Sequence, residues 1–194
     1  MQQFLEREPD PMRRALLAMV ATTSLLSPAA PAWAAEAAPP GQVGDFDFLV
    51  GRWRIRHHRL VGRLIGSTTW QDFDGEFTTQ KLLGGQANVD DCIIELPAGT
   101  YRGVAVRVFD PQRRAWSIYW IDSRTSRVDP PVVGGFEGGR GVFYGDDQQD
   151  GRPVRVRFLW FVDSPDRLRW EQAMSADGGV TWETNWTQHL ERAA

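Results

Sequence analysis

A succession of short runs in which apolar and polar residues alternate, each followed by a turn signal, fills most of this chain. The runs are Arg52 to Leu60, Ser67 to Phe73, Phe77 to Leu83, Asn88 to Leu96 and Tyr101 to Phe109. After these come Ala115 to Ile121, Gly134 to Tyr144 (with a break at its glycines), Val154 to Val162, Leu168 to Met174 and Val180 to Leu190. Side chains alternate across a strand with a period of two, so each run can bury one face and show the other to water. The turn signals are Leu96-Pro97-Ala98-Gly99, Asp110-Pro111-Gln112-Arg113, Asp150-Gly151, Ser164-Pro165-Asp166-Arg167 and Ala176-Asp177-Gly178-Gly179. Pro after Asp or Ser presets a type I turn, and Asp-Gly and Gly-Gly accept positive φ. No long helical period competes. Such regular strands give a sandwich or an up-and-down barrel. The fold class expected is therefore all-β, built from about ten short antiparallel strands.

The start of the chain differs in kind. Met12-Arg13-Arg14 is a positive opening, Ala15 to Leu26 an uncharged and mostly apolar run, and Ala32-Trp33-Ala34 a small-x-small cleavage pattern. That order reads as a secretory signal peptide over 1–34, with translation from Met1 or Met12. The apolar run falls short of the ~20 residues that span a bilayer. Residues 35–42 read as a flexible tether and 43–194 as the barrel domain. The expected location is periplasmic or secreted, with no membrane anchor after cleavage near Ala34. The single cysteine, Cys92, cannot form an internal disulfide, so packing alone must hold the domain in an oxidising compartment. Its place before Ile93-Ile94 reads as a buried thiol. The formal net charge is −3, and Lys81 is the only lysine among arginines spread mostly singly. This pattern argues against a nucleic-acid partner. Oligomeric state is not encoded in any of these features.

One stretch breaks the strand pattern. Gly44-Asp45-Phe46-Asp47-Phe48-Leu49-Val50-Gly51 reads as a single helical turn, capped by Asp45 and ended by Gly51. Phe46, Leu49 and Val50 would form an apolar plug for one end of the barrel. Gly51-Arg52-Trp53 then opens the first strand. A Gly-x-Trp in this position resembles the calycin superfamily, which includes lipocalins and fatty-acid-binding proteins. The wider text is similar to a bacterial family of uncharacterised function that is assigned a calycin-like barrel. The residues that carry this are Phe46-Asp47-Phe48-Leu49-Val50-Gly51-Arg52-Trp53, Leu82-Leu83-Gly84-Gly85, Trp116-Ser117-Ile118-Tyr119-Trp120 and Asp177-Gly178-Gly179-Val180-Thr181-Trp182. The resemblance implies the fold, a single up-and-down antiparallel β-barrel of roughly eight to ten strands with a short N-terminal helical plug, and carries no activity. It also implies that Trp53 sits at the barrel base under an arginine from beyond the last strand, for which Arg192 is the match. A cation over an indole face is worth roughly 0.5–2 kcal/mol.

Candidate ligand-binding residues follow from the strand faces. Trp120, Trp160, Trp170 and Trp186 share faces with other large apolar groups, such as Ile118, Val156 and Phe158. They either fill the interior or line a site for a small, mainly apolar or amphipathic molecule. Arg107 alternates with Gly103 and Ala105, while Val104, Val106 and Val108 take the other face. Facing in, its planar fork could bind an anionic end of such a ligand; facing out, it is a solvated arginine. Asn185 and Glu171 are weaker companions. His57 and His58 face opposite sides, and one of them could meet His189 where first and last strands close. Nitrobindin-like barrels bind haem through a histidine, but this chain lacks the Gly-x-Gly that follows their Gly-x-Trp. Two histidines also fall short of a zinc site. No cofactor and no metal are therefore assigned. The paired carboxylates Asp72/Asp74, Asp90/Asp91 and Asp146/Asp147 read as turn or strand-end residues. No catalytic motif appears and no catalytic residue is assigned. The sequence favours a binding module. The alternatives are an isomerase or hydrolase anchored by Arg107, or an envelope interaction protein with a solid core and a glycine-rich contact surface or lid from Arg124 to Gly141.

Overall fold

Residues 37–193 are described in the computed structural model. The signal peptide and cleavage site expected from the sequence lie outside them. Ten antiparallel strands close on one another in chain order, so the barrel is up-and-down. They are β1 (Gly51–Leu60), β2 (Trp70–Leu82), β3 (Ala87–Leu96), β4 (Gly99–Asp110), β5 (Ala115–Asp122), β6 (Val132–Glu137), β7 (Arg140–Gln149), β8 (Arg152–Ser164), β9 (Arg167–Ser175) and β10 (Glu183–Arg192). Closure comes from β1 pairing with both β2 and β10, which leaves no free sheet edge in the barrel.

Sequence alternation sets the inner face. On β4, Tyr101, Gly103, Ala105, Arg107 and Phe109 are buried, while Val104, Val106 and Val108 are not. On β1, Trp53, Ile55 and His57 point in, and Arg52, Arg54 and Arg56 face water. The two runs expected at Ser67–Phe73 and Phe77–Leu83 are one strand, β2. Asp74-Gly75-Glu76 does not turn, because Asp74 and Glu76 point outward and pair with Arg56 and Arg52 of β1 at 2.9 and 3.4 Å. Gly75 is extended and makes room: a Cβ there would stand 2.6 Å from Nε2 of His57. The run Gly134–Tyr144 does break at its glycines. Gly138 and Gly139, at φ +58° and +78°, make the β6–β7 turn. β10 starts at Glu183 rather than Val180, because Asp177 holds the preceding loop through the Val180 and Thr181 N–H groups.

One end of the barrel, the base, is closed by the segment before β1. It forms a 3-10 turn at Asp47–Leu49, with Phe46 and Leu49 inserted and almost fully buried. Two details differ from the sequence expectation. Val50 is exposed, because it lies past the turn where the chain swings out to enter β1. Asp45 accepts the Gln42 N–H at 2.8 Å and so braces the chain before the turn; no side chain caps the turn itself. Phe46 meets Trp116 and Phe136 edge to face at 5.1 and 5.0 Å, geometry that adds to the area it buries.

The base is locked by β1 and β10. Trp53 and Arg192 are register partners, and the Arg192 guanidinium carbon lies 4.3 Å from the indole centroid. Trp53 is fully buried and donates Nε1–H to the Leu49 carbonyl at 2.8 Å. Arg192 donates to the carbonyls of Phe48, Val50 and Pro165 and to the Asp166 carboxylate. One cation therefore ties the plug, the β8–β9 turn and the last strand around one indole. Gly51 completes the lock: its φ is +117°, and a Cβ would stand 3.0 Å from Arg192.

Candidate ligand-binding cavity

Above the plug, the interior is not packed solid. A cavity of about 310 Å³ runs from the Arg107 level to the opposite end of the barrel, the mouth. Trp120, Trp160, Trp170 and Trp186 all line it, with Phe158. Trp160 and Trp170 face each other across β8 and β9, 6.5 Å between centroids. Trp170 meets Trp186 edge to face at 5.7 Å, and Phe158 meets Trp170 at 4.8 Å. Trp120 lies across the backbone of β4: a Cβ on Gly103 would stand 2.2 Å from its ring. The space that the small residues of β4 leave beside Arg107 is thus taken, at Gly103, by an indole rather than left for a ligand group.

Arg107 points inward and is buried. Its fork is already occupied. Nη1 donates to Asn88 Oδ1 at 3.0 Å and Nη2 to Asp90 Oδ2 at 2.7 Å, and Asp90 Oδ1 accepts the Thr79 hydroxyl at 2.7 Å. The register explains this ladder. Asn88 stands directly opposite Arg107, Asp90 is its diagonal neighbour, and Thr79 stands directly opposite Asp90. Asp90 is therefore an interior residue in the middle of β3, not a turn residue, and it neutralises Arg107. The guanidinium also lies 5.1 Å from the Phe46 centroid and 5.6 Å from that of Trp160. Arg107 still offers the second N–H of each Nη and, on an atom with no partner at all, its Nε–H.

That N–H is one of several unpartnered polar atoms. Among the described residues, Arg107 Nε, Trp160 Nε1 and His57 Nε2 are buried without a hydrogen-bond partner, and all three residues line the cavity. Buried polar atoms of this kind are uncommon because each loses its hydration. His57 Nδ1 accepts from Trp186 Nε1 at 3.2 Å, which leaves its proton on Nε2. All three are then donors, so the inner wall suits a ligand with acceptor atoms. Burial, helped by the charge of Arg59, pushes the His57 pKa down to about 3, so the ring is neutral.

Closure of the barrel does not bring histidines together. His57 lies inside, stacked on Phe73 at 4.6 Å, while His189 is exposed on the outer face. His58 also faces out, bonded to Asp72 at 2.8 Å and stacked on Trp70 at 4.4 Å. Among the described residues no group of three or more His, Cys, Asp or Glu is placed to hold a metal ion. Cys92 is buried against the cavity, and burial with the nearby Asp90 charge raises its pKa well above the usual thiol value. Asn185 is fully buried at a bulge in β10 and accepts from Gln172 at 2.8 Å; Glu171 faces away from the cavity.

The mouth holds residues that the sequence did not single out. Arg59 and Arg63 line one side, with Tyr101, Asp122 and Arg124 beside them. Asp122 accepts both Nε–H and Nη2–H of Arg124, whose guanidinium carbon stands 3.8 Å from the Tyr101 centroid. Asp129, Asp146 and Asp147 line the other side. Of the Arg124–Gly141 stretch, Arg124, Asp129 and Pro130 line the mouth and Val132 the cavity wall; Val132–Glu137 is β6 and Gly138-Gly139 the turn into β7.

No family model matches the chain, and no curated protein matches it. Among solved structures it is similar to the S-type phycobiliprotein lyase CPES from Guillardia theta. Identity is 11% and the TM-score 0.50, over 77% of this chain and 90% of that one. It is also similar to EF1p2_mFAP2b bound to DFHBI, at 12% identity and a TM-score of 0.44, over 78% of this chain and 98% of that one. At such identities the likeness to the lyase is one of fold, the closed antiparallel barrel described above.

Proposed function

We propose that this protein binds a small, mainly apolar molecule inside the barrel. One observation carries the reading: four tryptophans line a cavity whose wall also holds unpartnered donors from Arg107, Trp160 and His57. A volume of about 310 Å³ sits at the lower end of the range usual for small-molecule sites, roughly 300–1,000 Å³. Indole faces suit a flat, unsaturated ligand, and the donors suit an oxygen or nitrogen acceptor on it. An anchor role for Arg107 in catalysis has less support, because its fork is satisfied by Asn88 and Asp90.

The residue pattern at Met12–Ala34 supports export, with the barrel acting in the periplasm or outside the cell. The Phe46–Trp53, Leu82–Gly85, Trp116–Trp120 and Asp177–Trp182 segments support membership of the bacterial family of uncharacterised function named above. Native mass spectrometry of protein purified from its own host tests the binding reading. A small-molecule adduct that is lost on denaturation is the expected result. Titration with aromatic probes should also quench or shift tryptophan emission. No adduct and no response to any probe would end the proposal.

A further inference from the structure

The charges that line the cavity are not evenly matched. Arg107 is neutralised by Asp90, and Arg124 by Asp122. Arg59 and Arg63 are different. Among the described residues, neither has a carboxylate within ion-pair distance, although both are only partly exposed. Arg59 projects from β1 opposite Trp186. Its guanidinium carbon lies 5.1 Å from the Trp186 centroid and 5.2 Å from that of Phe73. Arg63, in the β1–β2 connection, lies 6.0 Å over the same Trp186 ring. Burial and the charge of Arg59 both lower the pKa of Arg63, so two like charges are held together where water is scarce. Glu183, the acid that favours the Arg63 charge, is engaged by the Leu64 N–H at 2.8 Å. Apart from Asp122, which Arg124 engages, the acids that line the rim stand across the barrel. Asp129 is on the β5–β6 connection and Asp146 and Asp147 are on β7, four strands away from β1 in the barrel order.

We propose that the cavity takes an amphipathic organic anion, with its acid group held at the mouth by Arg59 and Arg63 and its rings among Trp160, Trp170 and Trp186. This rests on the ligand-binding reading above. An acid group is what two adjacent guanidinium forks lack and bind well. The aromatic faces of Phe73 and Trp186 hold Arg59 in place beforehand, so little ordering is left for binding to supply. The base cannot take the acid, because Asp90 would repel it and already occupies the Arg107 fork. The donors deeper in, at Trp160 and His57, instead suit an uncharged acceptor. The acidic side of the rim confines the anion to the Arg59 side.

Two fluorescent probes test the orientation. Anilinonaphthalene sulfonate and N-phenylnaphthylamine share their rings and differ by the sulfonate. Both are titrated into the wild-type full chain, into Arg59→Gln, Arg63→Gln and the double variant, and into Arg107→Met, with thermal melts as folding controls. The double variant should weaken the sulfonate about tenfold or more and the neutral amine by less than about threefold. Arg63→Gln, in a connection rather than a strand, should give part of that loss even if the double variant does not fold. Equal losses for both probes, or no loss for either, would overturn the placement of the acid group. So would a sulfonate loss confined to Arg107→Met, which would move the anion to the base. If neither probe binds the wild type, the ligand-binding reading itself fails. If Ala105→Leu, which fills the cavity, leaves both affinities unchanged, the probes bind outside it and that reading fails too.

Discussion

Arg107 and Asp90 hold each other at 2.7 Å inside the barrel, with 4% and 2% of their side chains exposed. A buried ion pair of this kind contributes little net stability, because both charges have left water. Removing one partner is costly, because the other then stands uncompensated. Asp90→Ala should destabilise the protein by roughly 3–5 kcal/mol. It would also leave Asn88 as the only hydrogen-bond partner of Arg107 in the pair of strands and the Thr79 hydroxyl unbonded. Exchanging both partners, as Arg107→Met with Asp90→Leu, should recover most of that loss. Urea unfolding of the wild type, the single variant and the pair measures it. A double variant no more stable than Asp90→Ala would mean that the ladder as a whole, and not the stranded charge, sets the stability.

Trp53 and Arg192 make the opposite case, a pair at the edge of the barrel that joins several elements. Trp53→Ala removes a fully buried indole and should cost about 3–5 kcal/mol. Arg192→Ala loses the cation over the ring and leaves the carbonyls of Phe48, Val50 and Pro165 without that donor. The cation–π share is roughly 0.5–2 kcal/mol. Both variants should lower the melting temperature while probe affinity in the cavity stays within about twofold of wild type, since neither residue lines it. A melting temperature unchanged in Trp53→Ala would remove the lock from the account of the fold.

Much of this barrel was legible in the sequence because its signals are local. Alternation and turn residues lie within ten or so positions of one another, and Gly51-Arg52-Trp53 is a contiguous motif. The interior was harder to read, and β4 shows why. Val104, Val106 and Val108 look like a core face, and Arg107 like a surface residue, yet the strand faces the other way. The deciding fact is the register between β3 and β4, which sets Asn88 opposite Arg107 and Asp90 on the diagonal. Alternation alone leaves open which face turns inward, and the pairing of Asn88 with Arg107 follows only once the Pro97-Ala98 turn fixes the register. The mouth was missed for a similar reason. Arg59 and Arg63 lie four residues apart in the chain, but the aromatic ring they share, Trp186, comes from the last strand. Asp74-Gly75 misled in the other direction: it has the composition of a turn, but Gly75 serves to admit the His57 ring.

Cys92 offers a direct readout of barrel opening. Its thiol is buried in the wall of the cavity, and burial together with the Asp90 charge suppresses the thiolate. The thiolate is the reactive form, so an aromatic disulfide reagent should label the native protein very slowly and the urea-unfolded protein at the rate of a free thiol. An occupant of the cavity should slow the native labelling further. Rapid labelling of the native state would show that the interior opens far more readily than its packing implies.

His57 links the cavity to acid stability. Folded, its pKa lies at about 3; unfolded, it returns to the ordinary value near 6.5. Between these values the unfolded chain binds a proton that the folded chain does not, so stability must rise with pH across that window. The contribution is fully present above about pH 6.5 and is lost progressively as the pH falls towards 3. At its largest it is of the order of 5 kcal/mol. His57→Phe has no such proton to gain. It keeps a ring against Phe73 but gives up the bond from Trp186, so it should be less stable than wild type at neutral pH. Its stability should then fall less steeply between pH 6.5 and 4. Urea midpoints at several pH values compare the two slopes directly. Equal slopes would mean that His57 reaches water before the barrel unfolds, in which case the ring is a movable wall of the cavity and not a fixed one.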